Sequence, residues 1–418
     1  MHVVERYAAW AVDWRSRPIP AEVAHHARRA VIDWHAALYP GTVVPPATLL
    51  TRALGSSDAR TVALINGSAA HSVEVDDIYR DGIYHPGAPT IAAAHALGFE
   101  RPNFLRAVIV GYEISTRIGA LMGRAHYKYW HNTGTIGCFG AAAAAAELLN
   151  LDARAFAHAL ATVATFAAAL QQAFRMDSMS KPLHAGRAAE AGVTAALAAR
   201  EGVTGSLDIL EGEAGFGRAM GDNPDWERAL VGLGRDFHIT RMTFKNHACC
   251  GHTFAAIDGA LALKARMGVQ PAEIERIDVG TYRAGVEVAH YEEPRTPAEG
   301  RFSLRYVVAT ALTHGSVRLA AFDAQRLMDP ATRALMRKVV PAVDAELDAA
   351  FPRQRAARVA ITARGRREEL LQPTRKGDPD LPLSDAELED KYMELAAPVI
   401  GRAAAQALLA RLWRLECA

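Results

Sequence analysis

TGTIGCFGAAAAAAELL, residues 133–149, decides how this chain folds. Three glycines, Gly134, Gly137 and Gly140, lead into six consecutive alanines at 141–146. Alanine loses no side-chain entropy in a helix and lets a neighbour approach its axis closely. A helix this slender would bury little on a surface, so the stretch belongs in the middle, with helices on more than one side. The flanking sequence supplies them. FLRAVIVGYEISTRIGALM, 104–122, carries Gly111 and Gly119 where a neighbour can press in, and helices at about 152–172 and 186–200 continue the small-residue texture. Upstream, 3–17 predicts an amphipathic helix, and 20–39 another, with Val23, Ala27, Ala30, Val31 and Trp34 on one side and Pro40-Gly41 as its stop. Helices at 47–54, 58–72 and 88–98 complete the series, and nothing before 238 alternates as a strand does.

After about 240 the periodicity changes. Ile274 to Gly280 alternates apolar and polar, Arg355 to Thr362 does so again, and Arg366 to Leu371 offers a hairpin partner. Helices are expected at 253–267, 303–314, 318–326 and 330–336 among these strands. Ser384 and Glu387 then form a capping box for a last helix pair, through Leu415, that shares the texture of the first part. The expectation is a mainly α protein: a large all-helical domain built from N- and C-terminal segments, 1–240 and 384–418, with a smaller α+β domain, 241–383, inserted between them.

Composition narrows the function. In 418 residues, 47 Lys+Arg face 46 Asp+Glu, a net charge of +1, which lacks the basic face nucleic acid needs. The Ala-rich stretches abut polar residues and fall short of a membrane span. Cys138, Cys249, Cys250 and Cys417 have no disulfide-framework spacing, and no basic-then-apolar leader opens the chain. The expected setting is the cytoplasm, with neither nucleic acid nor membrane as partner.

Chemistry concentrates in four stretches. GSAAHSVEVDDIYRDGIYHPGAPTIAAAHALG, 67–98, brings His71 to three acids, Glu74, Asp76 and Asp77, and then to His85 on a loop between two small-residue helices. Carboxylates and imidazoles in such a place are costly unless paired or wet, and suit acid–base work. His131 stands just ahead of the alanine helix. Lys181 and His184 fall in KPLHAG before another, and Lys245 opens KNHACCGH, which ends on His252. His71, Asp76, Asp77 and His85 could in principle bind a divalent ion, but HExxH is absent and the Cys249–His252 run is too compressed for a structural zinc site; no metal is expected. Gly212, Gly215 and Gly217 lack the strand-then-helix setting of a nucleotide loop, and Cys250 near His252 reads better as packing than as a nucleophile. Cations converging on one pocket would suit a substrate with two or three carboxylates and leave an imidazole or carboxylate to remove a C–H proton.

At this point the sequence resembles the MmgE/PrpD family, whose members include 2-methylcitrate dehydratase, cis-aconitate decarboxylase and iminodisuccinate epimerase. The resemblance runs through HSVEVDDIY with HPG, GYEISTRIG, HNTGTIGCFGAAAAAAELL, KPLHAGRAAEAG, KNHACCGHTFAAIDGAL, RTPAEGRFSLRYVVATAL and KGDPDLPLS, in order along nearly the whole chain. It implies dimers, di- or tricarboxylate substrates and no metal or organic cofactor. Its functional pattern falls on Glu74, Asp76, Asp77, His85, His131, Lys181 and Lys245, with Tyr306 of FSLRY as a weaker member. His184 and His252 join Glu74 and Tyr306 as expected substrate contacts. The decarboxylase branch usually has aspartate in place of Glu74 and threonine in place of Ile78, and one residue fewer between the acids and the histidine. The expected function is therefore a cofactor-independent lyase that removes an α-proton and expels water, as 2-methylcitrate dehydratase does. Epimerisation of a dicarboxylate such as iminodisuccinate, cis-aconitate-type decarboxylation and, more distantly, a non-catalytic binding role are the alternatives.

Overall fold

The computed structural model describes residues 1–55, 57–174 and 178–416. The chain forms two compact units: Met1–Phe244 with Ser384–Ala418, and Lys245–Leu383. Cys417 lies outside the described residues; Cys138, Cys249 and Cys250 are buried free thiols.

The first unit is helical. Its principal helices are α1 (Val3–Trp14), α2 (Ala21–Thr42), α3 (Ala47–Leu54), α4 (Ala59–Ala70), α5 (Gly87–Gly98), α6 (Phe104–Tyr127), α7 (Asn132–Thr135), α8 (Gly137–Leu148), α9 (Ala153–Ala164) and α10 (Ser180–Arg200). Every residue of α8 is buried. It packs against α5, α6, α9 and α10, as its small side chains require. At the α6–α8 crossing, a β-carbon on Gly111 would stand 2.6 Å from the Gly140 carbonyl oxygen, so only glycine allows this approach. The closing helices Asp385–Ile400 and Arg402–Leu412 return to this unit, the first of them against α2.

The second unit carries one four-stranded sheet in the order β2-β1-β3-β4, from β1 (Ile274–Thr281), β2 (Val339–Val343), β3 (Ala357–Ala363) and β4 (Arg366–Gln372). β1 runs parallel to β2 and antiparallel to β3, and β3 turns directly into β4. That turn holds Arg364 and Gly365 at φ 53° and 70°, the positive values a two-residue hairpin demands. Helix Phe254–Met267 covers β3 and β4.

Several boundaries differ from the sequence reading. Pro40-Gly41 does not stop α2, which continues to Thr42. Proline late in a helix loses only one donor, and neighbours bury this turn. The helix expected over 133–149 divides at Ile136 into α7 and α8. The one expected over 152–172 ends at Ala164, with a short turn at Gln171–Phe174. The helix placed at 318–326 is two single turns, Leu319–Phe322 and Ala324–Leu327. β2 was absent from the expectation, because Pro341 interrupts its alternation; it is an edge strand, where proline is tolerated. Among the described residues, no helix is long and apolar enough to cross a membrane.

Candidate active site

α4 begins where Asp58 accepts hydrogen bonds from the backbone N–H groups of Arg60 and Thr61, and it ends at His71. The chain then loops through Glu74, Asp76 and Asp77. Glu74 takes the left-handed conformation, φ 61°, a position unfavourable for a residue without a short polar side chain. A miniature hairpin follows. Tyr79 N–H donates to the Tyr84 carbonyl at 2.8 Å, and Ile78 and Thr243 exchange backbone bonds at 2.9 Å. Tyr84 O–H donates to Ser115 Oγ at 2.8 Å, and the Asn132 side chain donates to the Gly82 carbonyl at 2.7 Å. These ties deliver His85 to the start of α5, where its N–H donates to Thr133 Oγ1 at 3.2 Å.

The centre of the site is one carboxylate shared by two imidazoles. His71 Nδ1 lies 2.7 Å from Asp76 Oδ2, and His85 Nδ1 lies 3.1 Å from the same oxygen, less well aligned. Burial alone would push the Asp76 carboxyl up, but the His85 and His71 rings outweigh it and hold it well below the usual range. An ionised carboxylate can only accept, so the His71 Nδ1 carries the proton toward it, while the His85 Nδ1 stands at ion-pair distance without an aligned hydrogen bond. His71 is fully buried, and its Nε2 has no hydrogen-bond partner; burial pushes its pKa down to about 3, so it is neutral. His85 retains 14% side-chain exposure and is the accessible member.

His131 stacks on His71 with ring centroids 5.4 Å apart, and its Nδ1 lies 3.1 Å from Nδ1 of His184. One ring of that pair must donate and the other accept. Burial drives His131 well below its ordinary value, and burial and then the Lys181 charge lower His184, so both are neutral. Lys181 and His184 are the second and fifth residues of α10 rather than lying ahead of it. The Lys181 ammonium pairs with Glu74 and lies 5.6 Å from the Phe174 ring centroid; that ring packs edge-on to His131 at 4.7 Å.

Asp77 faces a different way. It accepts from the Gly87 N–H at 3.0 Å and from the Tyr112 hydroxyl at 2.7 Å. Burial, with the nearby Asp33 charge, raises its pKa to about 7. Gly87 is obligatory there, since a β-carbon would stand 2.6 Å from the Tyr112 oxygen.

Of the residues read from the sequence, Glu74, Asp76, Asp77, His85, His131, Lys181 and His184 thus fall together in the helical unit. Lys245, His252 and Tyr306 belong to the other. Lys245 is buried. His252 Nδ1 lies 2.8 Å from the Tyr282 hydroxyl, and the buried Tyr306 hydroxyl donates to the Ala321 carbonyl. The sequence reading gave His71 no place among the site residues, although its five-residue spacing from Asp76 signals the pair. Phe174 gave no signal at all. His71, Asp76 and His85 also offer three ligand atoms within 4.8 Å of one another, a spacing a divalent ion could use.

The sequence matches known proteins along nearly its whole length. The N-terminal domain model of the MmgE/PrpD family matches residues 5–229 and the C-terminal domain model matches 247–415, so the chain belongs to that family. The similarity supports a lyase-type function at the level of the family. A cis-aconitate decarboxylase-like protein, oryM, of Aspergillus oryzae is 26% identical over 96% of this chain and 91% of its own length. The cis-aconitate decarboxylases of Mus musculus and Homo sapiens are 28% and 27% identical over 66% of this chain, covering 59% and 60% of theirs.

Proposed function

We propose that the chain is a cofactor-independent lyase that acts on a di- or tricarboxylate by abstracting an α-proton and expelling water. The observation that carries this reading is the Asp76 carboxylate with an imidazole Nδ1 on either side, an arrangement that suits His85, the more accessible ring, to turn Nδ1–H toward the carboxylate and Nε2 toward substrate. That nitrogen takes the α-proton, and the C–H electron pair moves onto the adjacent carboxylate. Lys181 is assigned to a substrate carboxylate, where its charge steadies the electron-rich intermediate. As the C=C bond forms, the C–O bond breaks. The proton taken up by His85 passes to the departing hydroxyl, which leaves as water and returns His85 to its neutral form, while the neutral His131–His184 pair hydrogen-bonds the leaving oxygen.

A second reading is decarboxylation, favoured by the names of the three similar proteins. There the C–C bond breaks, CO2 leaves without a proton, and the carbanion takes one from a histidine. Glu74 and Ile78 stand where that branch usually has aspartate and threonine, and a basic His85 has less to do. Incubation with 2-methylcitrate, cis-aconitate and iminodisuccinate in deuterated water, followed by NMR, separates the outcomes. New alkene signals support dehydration. CO2 release assigns decarboxylation, and deuterium at an unchanged skeleton's stereocentre assigns epimerisation. Inertness toward all three acids counts against the lyase reading.

A further inference from the structure

Lys391 lies on the closing helix Asp385–Ile400 and is only 2% exposed. Its ammonium donates to Asp33 Oδ1 at 2.5 Å and to the Val75 carbonyl at 2.6 Å. Asp33, on α2, is fully buried. Val75 stands between Glu74, the left-handed residue paired with Lys181, and Asp76, the carboxylate that holds both imidazoles. The contact therefore joins three segments: the end of the chain, its second helix and the middle of the acidic loop. As a source of stability it is poor. Two buried charges cost several kcal/mol each in lost hydration, and a well-packed apolar pair in their place is often neutral or better. The directional bond to the carbonyl is what an apolar pair would not reproduce.

We infer that Lys391 is a positioning residue, whose grip on the Val75 carbonyl sets the Asp76 carboxylate against His71 and His85. Nothing in KYMELAAP around Lys391 marks it in the sequence. The inference rests on the proton-transfer reading for its kinetics but not for its geometry.

The test replaces the pair by apolar residues, Lys391→Met with Asp33→Leu, so that neither is left as the other's unpaired charge. Three quantities are read: melting temperature, kcat and KM on whichever acid the wild type turns over, and the downfield Nδ1–H resonances of His71 and His85. The expected double variant melts within about 3 °C of wild type. Its kcat falls roughly tenfold or more with KM little changed, and the two resonances shift or broaden. A folded double variant with wild-type kcat and unmoved resonances overturns the inference. If the double variant does not fold, Asp33→Asn decides, because it keeps Lys391 on the carbonyl. Resonances kept in Asp33→Asn but shifted in a folded Lys391→Met support the grip on Val75, and their loss in Asp33→Asn or their persistence in Lys391→Met overturns it. The resonances need no substrate, so a wild type inert toward every acid defeats the lyase reading without bearing on this one.

Discussion

His85 Nδ1 stands 3.1 Å from Oδ2 of Asp76, and that oxygen also meets the fully buried His71 at 2.7 Å. The shared carboxylate favours the Nδ1–H tautomer of His85, the more accessible of the two rings. An Asp76→Asn variant keeps the size of the side chain but loses the charge that selects Nδ1–H. Its kcat should fall about 10²–10⁴-fold, the range general acid–base groups supply, with the protein still folded by circular dichroism. Steady-state kinetics at several pH values checks this; wild-type kcat would remove Asp76 from the mechanism.

Glu74 occupies Lys181 before any substrate does. Glu74→Gln removes an anion from beside an anionic ligand, so calorimetry with a tricarboxylate should find binding about three- to tenfold tighter, the equivalent of roughly 1 kcal/mol. Lys181→Met should weaken it at least as much. Looser binding in Glu74→Gln would mean that Glu74 itself contacts the ligand.

Stability should fall in mild acid. Burial pushes His35, His71, His238 and His252 down to about 3 in the folded chain. Unfolded histidine titrates near 6.5, so between these values only the unfolded state takes up the proton. The contribution is complete above about pH 6.5 and is lost as pH drops toward 3, by up to about 1.4 kcal/mol per unit per residue. Asp77 works the other way. Its folded pKa is raised to about 7, so it favours the fold at low pH and loses that benefit as pH rises through 7. Four histidines outweigh one aspartate, and urea titrations should show the midpoint declining from pH 6.5 to 4.5. Asp77→Asn should stabilise the protein more at pH 8 than at pH 5; equal effects at both would contradict the raised pKa.

The three ligand atoms of His71, Asp76 and His85 make metal removal a direct check. Dialysis against EDTA should leave turnover unchanged, since hydrogen bonds rather than an ion are assigned to that carboxylate. Lost activity that returns with one divalent cation would assign the cluster to a metal.

The alanine run at 141–146 made the fold legible, because a helix with no side-chain bulk has only one useful place, and α8 occupies it. The histidine and acid clusters were legible too, since buried charge next to small-residue helices needs a reason. What stayed hidden is what depends on distance through space. Asp76 and Asp77 are neighbours in sequence, yet one faces the histidines and the other faces Tyr112 and the start of α5. No periodicity separates them. Lys391 lies 316 residues from the carbonyl it holds, in a helix that reads as ordinary amphipathic sequence. Phe174, between Lys181 and His131, carries no polar atom to notice.

The central claim is that His85, held by Asp76, takes the proton from the carbon next to a substrate carboxylate. Solvent-deuterium incorporation into the acid the wild type turns over, followed by NMR for wild type and His85→Gln, addresses it most directly. Exchange and turnover should drop together by about 10²-fold or more in His85→Gln while the acid still binds. Exchange at the wild-type rate in a folded His85→Gln protein would place the base elsewhere.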